Sequence, residues 1–159
     1  EANIKKLVDA KAIAGYPDGT FKPNNTITRA EFATVLVKAL NIAPSSDKVF
    51  ADTASHWAKD SISAAAAAGI VNGYSATQFG PNDPITREQM AVMITKAAKL
   101  AKAEGKTFSD SAKIAAWAKD AVASATAASV MSGYPDNSFK PQGNATRAEA
   151  VTVIVKTMK

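Results

Sequence analysis

The 159-residue chain carries a formal net charge of +5 and contains no cysteine, which excludes disulfides, thiol chemistry and Cys-based metal sites. Its 47% hydrophobic and 21% charged residues exclude global disorder, and no apolar run approaches the ~18 residues of a membrane span, so no membrane insertion is expected. The positive balance suits an anionic partner. Acidic residues are interspersed throughout and no extended basic block occurs, which argues against nucleic acid. No signal peptide is visible, so a secreted protein would appear here in mature or trimmed form.

In chain order, the sequence repeats itself. The segment from Gly15, GYPDGTFKPNNTITRAEF, aligns without gaps to GYSATQFGPNDPITREQM from Gly73 and GYPDNSFKPQGNATRAEA from Gly133. Upstream, Phe50-Ala51-Asp52 and Trp57-Ala58-Lys59-Asp60 match Phe108-Ser109-Asp110 and Trp117-Ala118-Lys119-Asp120. Glu1 aligns with Lys59, so a first copy would lack its Phe-x-Asp and Trp elements, through trimming or a naturally late start. The expected units are residues 1–44, 48–103 and 106–159, joined by the linkers 43–47 and 103–106.

Each unit reads as helix, loop, helix. The first helix follows the Trp-Ala-Lys-Asp segment, carries Ile4, Ile62 or Val122 at one equivalent position and ends on an apolar pair, with Gly15, Gly73 or Gly133 as its stop. Much of its apolar content is alanine, including Ala64 to Ala68, which favours helix but contributes little burial energy. Units of about 55 residues so poor in bulk are marginal alone and need one another. The loop carries turn residues such as Pro17-Asp18-Gly19. The second helix opens at Thr28, Thr86 or Thr146, with Glu31, Gln89 or Glu149 three residues later in a capping-box pattern. Phe32, Val35, Leu36, Ala39 and Leu40 then share one helical face, as do Met90, Met93, Ile94 and Ala97, and Ala150, Val153, Ile154 and Thr157.

These elements together resemble the S-layer homology family, with its Phe-x-Asp and Trp-Ala start, its Gly-Tyr-x-Asp-Gly-x-Phe-x-Pro loop and its Thr-Arg-Ala-Glu motif. Here the last reads Thr28-Arg29-Ala30-Glu31, Thr86-Arg87-Glu88-Gln89 and Thr146-Arg147-Ala148-Glu149. The resemblance implies an all-α fold, three helix-loop-helix repeats in a compact pseudo-threefold assembly with three central helices. It also implies non-covalent cell-wall anchoring outside a Gram-positive bacterium, through grooves between repeats that bind secondary cell-wall polymers by pyruvylated N-acetylmannosamine. No cofactor is implied. The middle copy departs from the pattern at Glu88-Gln89 and Ser75-Ala76-Thr77, so its groove is expected to bind differently.

Arg29, Arg87 and Arg147 each follow a helix cap, where open backbone N–H groups favour anions and a cation is mildly unfavourable. They either bind a ligand carboxylate by paired hydrogen bonds or pair with a neighbouring Asp or Glu. Trp57 and Trp117 either offer flat faces to sugars or fill the core. Tyr16, Tyr74 and Tyr134 are candidates to present hydroxyls to a groove. Gly15, Gly73 and Gly133 are structural and candidates for close backbone approach by a ligand. Asp52 and Asp110 read as loop or cap ligands within the protein, Phe21, Phe79 and Phe139 as core plugs, and His56 as surface. A single histidine, no cysteine, and repeated acids already used as caps argue against an enzyme. The competing reading is self-assembly with other S-layer subunits through protein contacts.

Overall fold

The computed structural model describes residues 25–40, 42–43, 49–71, 77–104 and 107–157. Gly15, Tyr16, Gly73, Tyr74, Phe21 and the first repeat's Ile4 helix lie outside the described residues. Those described form five α-helices and no strand, an all-α fold: α1 Arg29–Ala39, α2 Lys59–Ala67, α3 Arg87–Ala97, α4 Lys119–Ala127 and α5 Arg147–Thr157. Short 3-10 turns at Ala51–Thr53, Ser111–Lys113 and Ala116–Ala118 precede α2 and α4.

The helices α1, α3 and α5 open the three Thr-Arg motifs and start from a closed ring. The Ile27 N–H donates to the Ala145 carbonyl at 3.2 Å, that of Ala145 to Ile85 at 2.9 Å, and that of Ile85 to Ile27 at 2.9 Å. Three isolated antiparallel bridges, Thr26 with Thr146, Thr28 with Pro84 and Thr86 with Asn144, mark the same junction. Ring closure satisfies backbone groups that would otherwise be buried without partners. It also explains why Ile27, Ile85 and Ala145 are each at most 1% exposed. The pseudo-threefold arrangement with three central helices follows from this ring, and α5 packs against both α1 and α3.

Two of the central helices then pack on the first helix of the following repeat, α1 on α2 and α3 on α4. One continuous core results: Phe32, Leu36 and Ile62 lie with Phe50, Phe79 and Ile85, while Met90, Ile94 and Val122 lie with Phe139 and Ile154. The alanines fit because helices with small side chains approach closely; Ala33, Ala65, Ala91 and Ala125 are fully covered. A repeat is therefore not an independent packing unit.

The first helices end earlier than the glycine pattern implies. In α2 the cap is Ala68 and the left-handed residue is Gly69, at φ +76°. In α4 the cap is Ala128 and Ser129 takes that conformation, at φ +59°. The pairs Ile70-Val71 and Val130-Met131 lie beyond the helices and are buried. Gly133 has a different reason to be glycine: a Cβ there would lie 2.4 Å from the Phe108 ring and 2.7 Å from the Ser138 carbonyl. It is a close-packing glycine, not a helix stop.

Candidate functional site: the groove around Arg87

The three capping boxes form as the sequence implies. Thr28 and Glu31 exchange bonds with each other's backbone N–H, as do Thr86 and Gln89, and Thr146 and Glu149. The helix starts of α1 and α3 are nevertheless closed to anions, and that of α5 is covered at Arg147. The N–H groups of Arg29 and Ala30 donate to the carbonyls of Asp83 and Pro81, those of Arg87 and Glu88 to Gly143 and Pro141, and that of Arg147 to Asn25. The expected anion-binding amides are thus occupied by loops of neighbouring repeats, and any recognition of charge falls to side chains.

Those loops are themselves fastened by the Phe-x-Asp aspartates. Asp52 accepts from the N–H groups of Phe79 and Gly80, and Asp110 from those of Phe139 and Lys140. Burial raises the Asp110 carboxyl, but the Phe139 and Lys140 N–H groups and nearby Lys113 outweigh it and hold the group below its ordinary value. Phe79 and Phe139 plug the core, both fully buried and tilted against Phe50 and Phe108 at 5.5 and 5.3 Å between ring centres.

Arg87 is 5% exposed and crosses from the middle repeat into the third. Its Nε donates to the Phe139 carbonyl at 2.8 Å, its Nη2 to the Ser132 carbonyl at 2.7 Å and its Nη1 to the Glu149 carboxylate. Its guanidinium carbon lies 4.7 Å from the centre of the Tyr134 ring and 4.8 Å from that of Phe139, within cation–π range. The Tyr134 hydroxyl donates to the same Glu149 oxygen at 3.1 Å. Burial, opposed by Arg87 and reinforced by Glu149, raises the pKa of that hydroxyl. Above these groups lies a groove of about 270 Å³ lined by Arg87, Gly133, Tyr134, Glu149, Thr152 and Lys156 among others. Arg87, Gly133 and Tyr134 are thus brought together, and Lys156, which the sequence did not single out, joins them from one helical turn beyond Thr152.

The other two arginines repeat parts of this arrangement. Arg147 donates from Nη1 to Glu31 at 2.9 Å, and Arg29 from Nε to the Phe79 carbonyl at 3.0 Å, with its guanidinium carbon 4.7 Å from the Phe79 ring centre. Two of the three therefore pair with a glutamate of another repeat, one of the two readings the sequence left open. At the equivalent position of the middle copy stands neutral Gln89, whose Oε1 serves the Thr86 N–H.

Trp57 and Trp117 are 67% and 62% exposed. The core reading is therefore wrong for both, because the alanine-rich interior closes without them. Neither lines the Arg87 groove. His56 lies at the surface, half-buried, as the sequence implies, but it is not idle: its Nδ1 accepts from the Ala58 N–H at 3.1 Å, and its Nε2 lies 2.9 Å from the Asn82 Oδ1. With Nδ1 accepting, Nε2 carries the proton and donates to Asn82. The ring lies 5.2 Å from that of Trp57.

A head-to-tail ring of three helical repeats, with an arginine at the floor of a groove between two of them, defines a tandem-repeat module. The sequence profile of the S-layer homology domain matches residues 1–33, 49–91 and 107–151, and the chain belongs to that family. It is 38% identical over 159 residues to an amylopullulanase of Thermoanaerobacterium thermosulfurigenes, covering 95% of this chain and 8% of that protein. An endoglucanase of Bacillus sp. (strain KSM-635) is 38% identical, with 95% and 17% covered. A cellulosome-anchoring protein of Acetivibrio thermocellus is 34% identical, with 94% and 36% covered. The chain spans 36% or less of the length of these three relatives.

Proposed function

We propose that this chain is a non-catalytic anchoring module that holds an acidic secondary cell-wall polymer in the grooves between its repeats, outside a Gram-positive cell. The ligand group is the carboxylate of pyruvylated N-acetylmannosamine. The observation that carries this reading is Arg87, held at the floor of an open groove between two repeats beside Tyr134, Gly133 and Lys156. Among the described residues, three of its five N–H groups are engaged by protein; in this reading the other two, with the Lys156 ammonium, meet the anion. A charge-assisted hydrogen bond from such a group contributes about 1.5–3 kcal/mol.

In this reading the repeats run over 1–44, 48–103 and 106–159. Arg29 and Arg147 act in the other grooves as Arg87 does in its own, Gly15, Tyr16, Gly73 and Tyr74 are ligand-binding candidates by their place in the sequence repeat, and the exposed rings of Trp57 and Trp117 stack on sugar faces of the polymer outside the Arg87 groove. Relatives named as a cellulosome-anchoring protein and an S-layer protein support wall attachment. Those named as an amylopullulanase and an endoglucanase match over a small share of their length, as expected where the catalytic part lies elsewhere.

The test is co-sedimentation with purified wall polymer before and after mild acid removal of its pyruvyl groups. Binding is expected to be lost with the pyruvyl groups and weakened by Arg29→Ala, Arg87→Ala and Arg147→Ala to different degrees. Equal binding to both polymers contradicts carboxylate recognition. Concentration-dependent self-association without polymer would instead favour lattice assembly with other S-layer subunits.

A further inference from the structure

Glu149 performs two tasks with its two oxygens. Oε1 accepts from the Thr146 N–H at 3.0 Å and closes the capping box, while Oε2 accepts from Arg87 and from Tyr134 inside the groove. The first task needs only a neutral acceptor. The middle copy demonstrates this, because Gln89 closes its own box through Oε1 at 3.0 Å. The negative charge of Glu149 is therefore not needed for the helix start. It is delivered into the groove, where its side chain remains 26% exposed against 6% for Arg87. Glu31 repeats the arrangement on Arg147, with side-chain exposures of 28% and 5%.

We infer that Glu149 is a built-in competitor for Arg87, as Glu31 is for Arg147, and that the charge of this glutamate sets how strongly its groove holds an anion. The inference rests on the anionic-ligand reading above and deepens it. A ligand carboxylate reaching Arg87 meets the Glu149 carboxylate a few ångströms away, where like charges repel strongly because water is partly excluded. Glutamate at this position makes a firm junction between repeats and a weakly attractive groove. Glutamine keeps the cap, removes the charge and frees Nη1 of the arginine. Stability and affinity therefore move in opposite directions, which separates this role from a structural one: a residue needed only for packing lowers both when replaced.

The experiment compares the wild-type chain with Glu149→Gln, and with Glu31→Gln as a second variant reporting on the same pair around Arg147. Arginine Nε–H resonances are followed by NMR while free pyruvate is added, with the Arg87 signal assigned through Arg87→Lys. The expected result is a lower melting temperature for Glu149→Gln together with a response of Arg87 at roughly tenfold lower pyruvate concentration. An unchanged or higher midpoint in both glutamine variants overturns the inference. Calorimetry with a pyruvylated N-acetylmannosamine glycoside separates the two claims. Gain of pyruvate response without glycoside binding by any variant removes the glycan reading and leaves the competitor role standing. Equal glycoside affinity for wild type and Glu149→Gln, lost in Arg87→Lys, keeps the glycan reading and removes the competitor.

Discussion

In the middle repeat, the turn before Trp57 is held by an imidazole: His56 accepts from the Ala58 N–H and donates to Asn82. In the third repeat the turn before Trp117 is held by a carboxylate reaching across from the middle repeat. Glu88 accepts from the Ala115 N–H at 3.0 Å and from the Gln142 amide at 3.2 Å, and Gln142 in turn donates to the Lys113 carbonyl at 2.7 Å. Asn82 and Gln142 occupy the same place in the repeat, directly after Pro81 and Pro141. One clamp is thus local to its repeat and partly open to solvent, while the other is buried, Glu88 being 5% exposed, and ties two repeats together. The tryptophan is exposed in both repeats while the chemistry beside it differs. Glu88, which reads in the sequence as a departure from Thr-Arg-Ala-Glu, is an inter-repeat tie.

The comparison can be broken most severely at Gly133. Alanine there forces the Phe108 ring and the Ser138 carbonyl apart, and calorimetric unfolding is expected to show a loss of about 2–3 kcal/mol. Next in size, Glu88→Ala leaves the Ala115 N–H without its acceptor and the Gln142 amide with only the Lys113 carbonyl, at a cost of about 1–3 kcal/mol. His56→Ala removes a half-exposed clamp and is expected to cost about 1 kcal/mol or less. In single-tryptophan backgrounds, Glu88→Ala is expected to alter the fluorescence anisotropy of Trp117 and His56→Ala that of Trp57. Crossed effects would show that the clamps are not local to their tryptophans. The helix ends give a smaller contrast. Gly69 and Ser129 hold the same left-handed position, so Gly69→Ala is expected to destabilise by about 1 kcal/mol and Ser129→Gly to stabilise by about 0.5–1 kcal/mol in thermal melts.

The smallest effect is one of pH. The carboxyl of Asp110 is lowered from 3.8 in the folded chain, so its contribution to stability is complete above 3.8 and is lost as pH falls through the lower folded value. The difference in melting temperature between wild type and Asp110→Asn is therefore expected to shrink on acidification below that point. A difference that persists unchanged would place the effect in packing instead of charge.

Features governed by neighbours in the chain were legible in the sequence. The capping boxes, the buried helical faces, the phenylalanine plugs and the loop-binding aspartates each depend on spacing within one repeat, and self-alignment exposes that spacing. The closed helix starts were not legible, because the carbonyls that cover them belong to other repeats. Nor was the choice of partner for Arg87 and Arg147, whose glutamates lie 62 and 116 residues away. The glycine pattern points past the true helix stop because two glycines follow the alanine run, Gly69 and Gly73, and the apolar pair between them has helical spacing. The tryptophans were ambiguous because aromatic rings serve cores and surfaces alike; the tight alanine contacts that exclude them from the interior are a property of the assembled ring.

The measurement that tests the central claim most directly is calorimetric titration of this chain with a pyruvylated N-acetylmannosamine glycoside beside the same sugar lacking the pyruvyl group. The account requires saturable binding of the first, none of the second at equal concentration, and loss of most of the binding in Arg87→Ala when that groove is the one occupied. Equal binding of the two sugars, or binding of the pyruvylated one that survives replacement of all three arginines, would contradict it.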